Sequence, residues 1–248
     1  MSYYYLESLS ADQFKKRTEK AREKLEKQYK KKNKELEPVS PAQPRSKNIC
    51  SSWWGQVWSA YFEDHLVNCT GRLTRGKKYI RYGAVLDLKI EEGQAKAVVM
   101  GQSTNGASLR NYKVTIDFKL LDEKKKQIMM QLFESNPAYL NQLFQGTFPP
   151  VFLSLIQKSP GLFPLPDEIH IHCTCPDSNS VCKHAIAVMY GIGILFDQDP
   201  LIFFKLRGIN FENFIQKMIS HKVEAMLQNA HCQSDRILES DAYELFEL

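Results

Sequence analysis

Long apolar runs are missing from this 248-residue chain, because Lys, Arg, Asp or Glu interrupts every hydrophobic stretch before it reaches membrane-spanning length. The N-terminus is Tyr-rich and then charged, and it lacks the basic and apolar layout of a secretory signal. We therefore expect a cytoplasmic protein without a membrane segment. The chain has only six cysteines, and in that compartment we expect thiols or metal ligands instead of disulfides.

Catalytic signatures are equally scarce. The chain contains no Gly-x4-Gly-Lys-Ser/Thr phosphate loop, and no pair of carboxylates or nucleophile motif stands out. A Cys-x-x-Cys pair ahead of a helix, which is typical of redox proteins, is also absent. We therefore predict a protein that is not an enzyme and has no small-molecule substrate.

Positive charge is concentrated in one N-terminal segment. The net charge of the chain is +5, and residues 11–37 alone hold eleven Lys/Arg against six Asp/Glu, which also gives +5. A thin apolar stripe from Phe14 to Leu36 repeats at helical spacing, and Ser10 precedes it as a candidate N-cap. These features predict one exposed basic helix over 10–37, followed by a Pro-rich linker.

The hydrophobic periodicity of the remaining chain predicts an α+β fold. Apolar and polar residues alternate over 84–91 and 112–120, which is typical of half-buried strands, and 94–100 returns from a Glu92-Gly93 turn as a third strand. A flexible loop is expected over 101–111. Helical signals follow over 122–135, 138–145, 149–157, 184–196 and 209–230, and 199–206 is an apolar segment.

These elements predict four segments. Residues 1–48 form a basic helical arm and linker, and 49–165 form a mixed helix and antiparallel-sheet body. Residues 166–198 form a small strand–loop–helix zinc finger, and 199–248 form a C-terminal helical segment and tail. The tryptophans Trp53, Trp54 and Trp58 are expected mainly in the core of the body, with one of the adjacent pair as a possible anchor for a partner.

Three cysteines and one histidine fall within twelve residues, namely Cys173, Cys175, Cys182 and His184. Zn²⁺ takes four such sulfur and nitrogen ligands in a tetrahedron, and the loop between the two pairs is rich in turn formers that bring them together. Strand parity places His170 and His172 on the opposite face from Cys173, which disfavours them as ligands. The alternative is three ordinary buried thiols. We predict a closed structural site with Zn²⁺ as cofactor.

The sequence Cys173-Thr-Cys-Pro-Asp, followed by Cys182-Lys-His-Ala-Ile-Ala-Val, closely resembles the SWIM zinc finger. Further segments at Trp53–Trp58, Arg75–Gly83 and Asp199–Gly208 are similar to bacterial proteins of the SWIM zinc finger family that are associated with SWI/SNF-type helicases. The resemblance implies zinc binding, a role in binding DNA or protein, and a helicase of this type as a partner. It does not account for the charged segment 10–37.

A second basic segment runs from Arg72 to Tyr82 without an acidic residue. Its cations can meet phosphates and its tyrosines can stack on exposed bases. The candidate nucleic-acid contacts are Arg72, Arg75, Lys77, Lys78, Tyr79 and Arg81. The alternative is a basic strand or loop whose tyrosines lie in the core. We predict binding of nucleic acid, DNA first. The competing hypothesis is a protein–protein adaptor whose finger and aromatic surface bind a partner protein without nucleic acid.

Overall fold

A computed structural model of the chain describes residues 9–66, 70–103, 108–157, 162–177, 179 and 181–230. The chain divides into two compact units, Met1–Ile209 and Asn210–Leu248. The helices are α1 (Ala11–Lys30), α2 (Trp53–Asp64), α3 (Thr70–Arg81), α4 (Glu123–Ser135), α5 (Ala138–Phe144), α6 (Val151–Gln157), α7 (Lys183–Gln198), α8 (Leu201–Leu206) and α9 (Phe211–Ala230). The strands are β1 (Val85–Glu91), β2 (Gln94–Gln102), β3 (Leu109–Phe118) and β4 (Ile169–Cys173).

The four strands form one antiparallel sheet in the order β1-β2-β3-β4. The alternation expected over 112–120 is borne out as far as Phe118, the last residue of β3, since Tyr112, Val114, Ile116 and Phe118 are all buried. Leu120 lies beyond the strand and is 40% exposed. The α+β fold class is therefore confirmed. The loop expected over 101–111 is shorter than that, since β2 reaches Gln102 and β3 starts at Leu109, and residues 104–107 lie outside the described part of the chain.

Helix α7 is the centre of the first unit, and 12 of its 16 residues are buried. It packs against α3, α2 and the sheet. Gly76 permits the contact with α3, because a Cβ there would collide with the side chain of Ile186. On the α2 side, a Cβ on Gly193 would lie 2.8 Å from the Cys50 sulfur. Helix α7 is therefore held from several sides by close backbone approach.

An aromatic cluster fills the space between α2, α7 and the sheet. Trp58 is fully buried and contacts the rings of Phe118 and Phe196, while its indole N–H donates to the carbonyl of Met189 at 2.8 Å. Trp54 is also buried, whereas Trp53 is half-buried. The expected core role therefore holds for two of the three tryptophans.

The basic arm does not project from the body. Helix α1 begins at the expected N-cap Ser10 and ends at Lys30, six residues before the predicted end of its apolar stripe. It buries Phe14, Thr18, Ala21 and Leu25. The chain beyond it runs extended along β1, where Val39 pairs with Val85. The predicted boundary at residue 48 stays a prediction, but the described part of the arm shares the core of the first unit.

The second unit contains α9, whose described side chains include an exposed apolar stripe. Ile219, Val223, Met226 and Leu227 are each 48–59% exposed and recur at helical spacing. The tail predicted after this helix lies outside the described residues. Within the described chain, every helix is too short or too polar to cross a membrane.

Candidate metal centre

The cysteine cluster lies where β4 ends and α7 begins. Strand β4 pairs with β3 so that Cys173 lies opposite Val114. The pairing continues one residue further, because the Thr174 N–H donates to the Lys113 carbonyl and the Thr174 hydroxyl accepts from the Lys113 N–H, each at 3.0 Å. These bonds fix the backbone between Cys173 and Cys175.

The second pair of candidate ligands starts α7. Cys182 is the N-cap residue, and its sulfur accepts a hydrogen bond from the Ala185 N–H at 3.5 Å. This position favours a thiolate, since the N-terminus of a helix carries partial positive charge. His184 is 96% buried, with 4% of its surface exposed.

The structure brings the four predicted ligands together. The donor atoms of Cys173, Cys175, Cys182 and His184 all lie within 4.8 Å of one another. His184 Nδ1 lies 3.8 Å from the Cys182 sulfur and 4.0 Å from the Cys173 sulfur. Around a tetrahedral Zn²⁺, sulfur and nitrogen donors are about 3.5–3.8 Å apart, from bond lengths of about 2.3 and 2.0 Å. The donor set and its spacing therefore fit a metal of this kind.

The three thiols are too close for all of them to ionise without a cation. The thiols of Cys173 and Cys182 hydrogen-bond to Cys175 and lower the pKa of Cys175 well below its ordinary value. The hydrogen bonds of Cys173 with Cys175 and with Cys182, together with burial, raise the pKa of Cys173. At Cys182, the bond with Cys173 lowers the pKa, but the bond with Cys175 and burial outweigh it, so that the pKa is raised to about 11. A bound divalent cation reverses this balance, because it favours all three thiolates and releases their protons.

The two histidines of β4 stay outside the cluster. His170 and His172 are exposed, whereas Ile169, Ile171 and Cys173 are half-buried on the opposite face. The strand parity predicted from the sequence therefore holds through the whole of β4.

The His184 ring lies between two tyrosines. Its centroid is 4.9 Å from the ring of Tyr112 and 5.4 Å from the ring of Tyr79. A Cβ on Gly101 would lie 2.8 Å from His184 Nε2, so only glycine leaves room for the imidazole at this point of β2. Neither Gly101 nor Tyr112 was predicted as part of the site, although the alternation of β3 already placed Tyr112 on the buried face.

The loop between the ligand pairs is held by Asp177. Its carboxylate accepts from the Asn179 N–H at 3.2 Å and from the Asn179 side-chain amide at 2.7 Å. The same carboxylate lies 3.5 Å from the Arg72 guanidinium on α3. Burial raises the pKa of Asp177, but the bonds from Asn179 and the charge of Arg72 outweigh it, so the pKa is lowered.

The six predicted nucleic-acid residues lie on α3, a helix, and not on the strand or loop that the sequence suggested. Tyr79 is fully buried beside His184, so its ring is not open to a base. Lys77 pairs with Glu63 at 2.9 Å. Three further cations of this set donate hydrogen bonds to backbone carbonyls. Lys78 donates to Leu9 at 3.0 Å, Arg81 to Ser46 and Lys47 at 2.9 Å, and Arg75 to Gly71 at 2.9 Å.

Comparison with known proteins agrees with this site. Residues 152–191 match the SWIM zinc finger family model, which covers the four candidate ligands. The SWIM resemblance read from the sequence is thereby confirmed, and the four side chains form a Cys₃His metal-binding cluster.

Comparisons with a relative and with solved structures say less about the site than the family model does. The chain is similar to "Uncharacterized protein Rv2102" of Mycobacterium tuberculosis (strain ATCC 25618 / H37Rv), with 28% identity over 181 residues. That match covers 71% of this chain and 62% of the relative, so the chain spans less than two thirds of the relative's length. No solved structure gives a significant match.

Proposed function

We propose that this metal-binding module holds Zn²⁺, binds nucleic acid, DNA first, and acts in the cytoplasm with a SWI/SNF-type helicase without being an enzyme itself. The observation that carries the nucleic-acid proposal is the packing of α1 on α3. It joins the two basic segments of the sequence into one positively charged region beside the metal centre.

The contact between the two helices is aromatic and specific. Phe14 of α1 is fully buried, with its ring 5.2 Å from Tyr79 and 5.8 Å from Tyr82. The Lys78 ammonium lies 5.7 Å above the Phe14 ring and also donates to the carbonyl of Leu9. Tyr79 and Lys78 therefore serve the region by holding the arm in place, and the cations around them do the binding.

Helix α3 carries cations at both of its ends. Arg72 and Arg75 lie near the metal centre. Arg81 lines a cavity of about 550 Å³, where the cations Lys15, Arg22, Arg45 and Arg81 outnumber the acidic Asp12 and Glu19. With a rise of about 1.5 Å per residue, Arg72 and Arg81 are about 14 Å apart along the helix axis. That distance corresponds to about four phosphates of one DNA strand, at about 3.4 Å each.

The outer face of α1 adds exposed charge. Its exposed cations are Lys15, Lys16, Lys20, Arg22, Lys24, Lys27 and Lys30. Acidic side chains accompany them, and Glu26 pairs with Arg22 at 3.7 Å. Both groups are about half exposed, so this pair is weak and leaves the cations available to phosphates.

The four protein ligands support a structural role for the metal. A catalytic zinc keeps one coordination position for water or substrate, whereas a Cys₃His set fills the tetrahedron. The helicase partner follows from the resemblance of the sequence to helicase-associated SWIM proteins.

The test of nucleic-acid binding is a salt titration followed by fluorescence anisotropy. We expect the zinc-loaded chain to bind a labelled DNA duplex with an affinity that falls steeply as salt rises. Neutralising three exposed lysines of α1 (Lys16→Gln, Lys20→Gln and Lys24→Gln together) should lower the slope of log K against log salt by up to about 2.7, at about 0.9 per lost contact.

A matched control carries the same loss of charge on other elements. Lys96→Gln, Lys124→Gln and Lys205→Gln change exposed lysines of β2, α4 and α8. Their combined variant should keep the wild-type slope. Equal slopes for both triple variants, or no binding of the wild type even at low salt, would contradict the proposal.

The adaptor hypothesis is the second candidate, and α9 favours it. Its exposed stripe of Ile219, Val223, Met226 and Leu227 is the kind of surface that docks into a groove of a partner protein. Co-purification from cells distinguishes the candidates. A stoichiometric partner that survives nuclease and high salt, and is lost in Val223→Glu, supports the adaptor. Partners lost on nuclease treatment support the nucleic-acid proposal.

A further inference from the structure

A cavity of about 320 Å³ adjoins the metal centre. It lies between the first turns of α3, the end of β2, the loop after β4 and the start of α7. Its walls include three cationic side chains, Arg72, Arg75 and Lys183, together with Asp177 and the candidate ligand His184. The volume is at the lower end of the range for small-ligand sites, about 300–1,000 Å³.

The charge of this cavity is positive even after the metal is counted. The three cations and Asp177 sum to +2, from the residues that line the cavity. A Cys₃His zinc centre with three thiolates contributes −1, so the whole region remains at about +1. The cavity is therefore suited to an anion.

Arg72 has hydrogen-bonding capacity that the described chain does not fill. Its guanidinium faces Asp177 at 3.5 Å, a distance at the edge of hydrogen bonding. Its Nε is buried and has no hydrogen-bond partner among the described residues. Buried donors of this kind are rare in folded proteins. An acceptor entering the cavity would give the guanidinium partners for its planar fork.

His184 presents a second buried donor of the same type. His184 Nδ1 faces the sulfurs of Cys173 and Cys182, and with Nδ1 as a metal ligand the imidazole would carry its proton on Nε2. That atom is buried and has no partner in the described part of the chain. Metal-bound histidines usually donate their second N–H to an acceptor. Two residues with unsatisfied buried donors thus line one cavity.

We propose that this cavity binds a phosphate group of a nucleic-acid strand, held by the guanidinium groups of Arg72 and Arg75 and by the Lys183 ammonium. The proposal rests on the nucleic-acid function proposed above and assigns it a specific point of contact. Phosphate suits the site better than carboxylate, because its additional oxygens meet several cations at once and Arg binds it through two parallel hydrogen bonds.

Asp177 competes with this ligand and makes the site testable. Its carboxylate pairs with Arg72, but the two bonds from Asn179 hold it independently of that pair. A phosphate can therefore take the place of Asp177 on Arg72 while the loop keeps its turn. Removing the Asp177 charge should strengthen phosphate binding, whereas removing the cations should weaken it.

Two probes test the cavity by isothermal titration of the zinc-loaded full chain. The first is inorganic phosphate, and the second is a short oligodeoxynucleotide with and without a 5′-phosphate. We expect Arg72→Gln and Arg75→Gln each to weaken phosphate binding about tenfold, the effect of about 1.4 kcal/mol for one charge-assisted pair. Asp177→Asn should tighten it several-fold, and Lys124→Gln should leave it unchanged.

The zinc content of each variant is measured in parallel, so that loss of the metal is recognised. Because Arg75 and Asp177 are changed separately, their opposite effects test the cavity even if Arg72→Gln fails to fold. Phosphate binding that follows these variants while the oligodeoxynucleotide never binds would retain the cavity and refute the nucleic-acid function. Two outcomes would overturn the cavity proposal alone. One is oligodeoxynucleotide binding that is equally strong in all variants and with or without the 5′-phosphate, and the other is no detectable binding of inorganic phosphate.

Discussion

Replacing Gly101 with alanine tests the support of the histidine ligand. The added Cβ would lie 2.5 Å from Cε2 of Tyr112 and 2.8 Å from Nε2 of His184, so one of the two rings must move. Tyr112 is held by a hydrogen bond from its hydroxyl to the Gln102 carbonyl. The buried imidazole is packed between two tyrosine rings, and a metal bound at Nδ1 would remove its remaining freedom to turn. The strain therefore falls mainly on the metal-bound form.

The size of the effect follows from this asymmetry. Overpacking of a filled site costs about 1–3 kcal/mol. If the metal-free protein relaxes by turning His184, the whole cost appears as weaker metal binding, about five- to 150-fold. Competition of the protein with a chromophoric chelator for Zn²⁺ measures this change, and the Co²⁺ form reports by its visible spectrum whether the nitrogen ligand is retained.

A matched glycine serves as the control. A Cβ built on Gly71 of α3 would lie 3.9 Å from the Arg75 guanidinium, which is an ordinary van der Waals contact, so alanine fits there without strain. Gly71→Ala should bind Zn²⁺ like the wild type. If Gly101→Ala also binds like the wild type and melts at the same temperature, the imidazole does not lie against β2 and the reasoning is refuted.

Three further predictions concern the rest of the unit. Cys182→Ser keeps an N-cap acceptor for α7 but removes a metal ligand. The variant should contain no zinc by elemental analysis and should keep the helix signal in circular dichroism. Bound zinc, or loss of the helix signal, would contradict this prediction. The Asp197 carboxylate accepts hydrogen bonds from the N–H and the hydroxyl of both Ser51 and Ser52. Asp197→Asn should therefore lower the free energy of unfolding by about 2 kcal/mol, which corresponds to a Tm lower by roughly 4–8 °C. The exposed control Asp64→Asn should keep the wild-type Tm. Burial raises the pKa of Glu168, but the Leu165 N–H, Lys119 and Arg207 outweigh burial and lower it. The stabilisation by the carboxylate is therefore present above the unfolded pKa near 4.5 and is lost as the pH falls through the lower folded pKa. Glu168→Gln should destabilise at pH 7 and progressively less as the pH falls below about 4.5, and a loss that does not change with pH would exclude this ionic role.

The strands and the ligand set were predictable because their signals are local. The alternation of β3 and the parity of β4 depend only on neighbouring residues, and both appear in the burial of the side chains. The four ligands are close in sequence, and turn-forming residues between the pairs bring them together. Local physics was sufficient for these features.

Helix α3 was missed because its determinants are distant. Its two internal glycines and its cations obscure the helical spacing of Leu73, Gly76 and Ile80. Gly76 makes sense only beside Ile186, which is more than a hundred residues away. The early end of α1 has a similar cause, since the chain leaves the helix to pair with β1 near Val85. Neither partner can be read from the local pattern.

Helix α7 carries the candidate metal ligand His184 in its first turn and also fills the centre of the first unit. A fragment cut out around the SWIM match would carry the helix without α2 and α3, and its many apolar side chains would face water. Such an excised piece should aggregate even when saturated with zinc, and grafting it onto another scaffold should fail for the same reason. The metal-binding motif therefore cannot be exchanged alone, because its helix belongs to the core that α1, α2, α3 and the sheet share in the first unit.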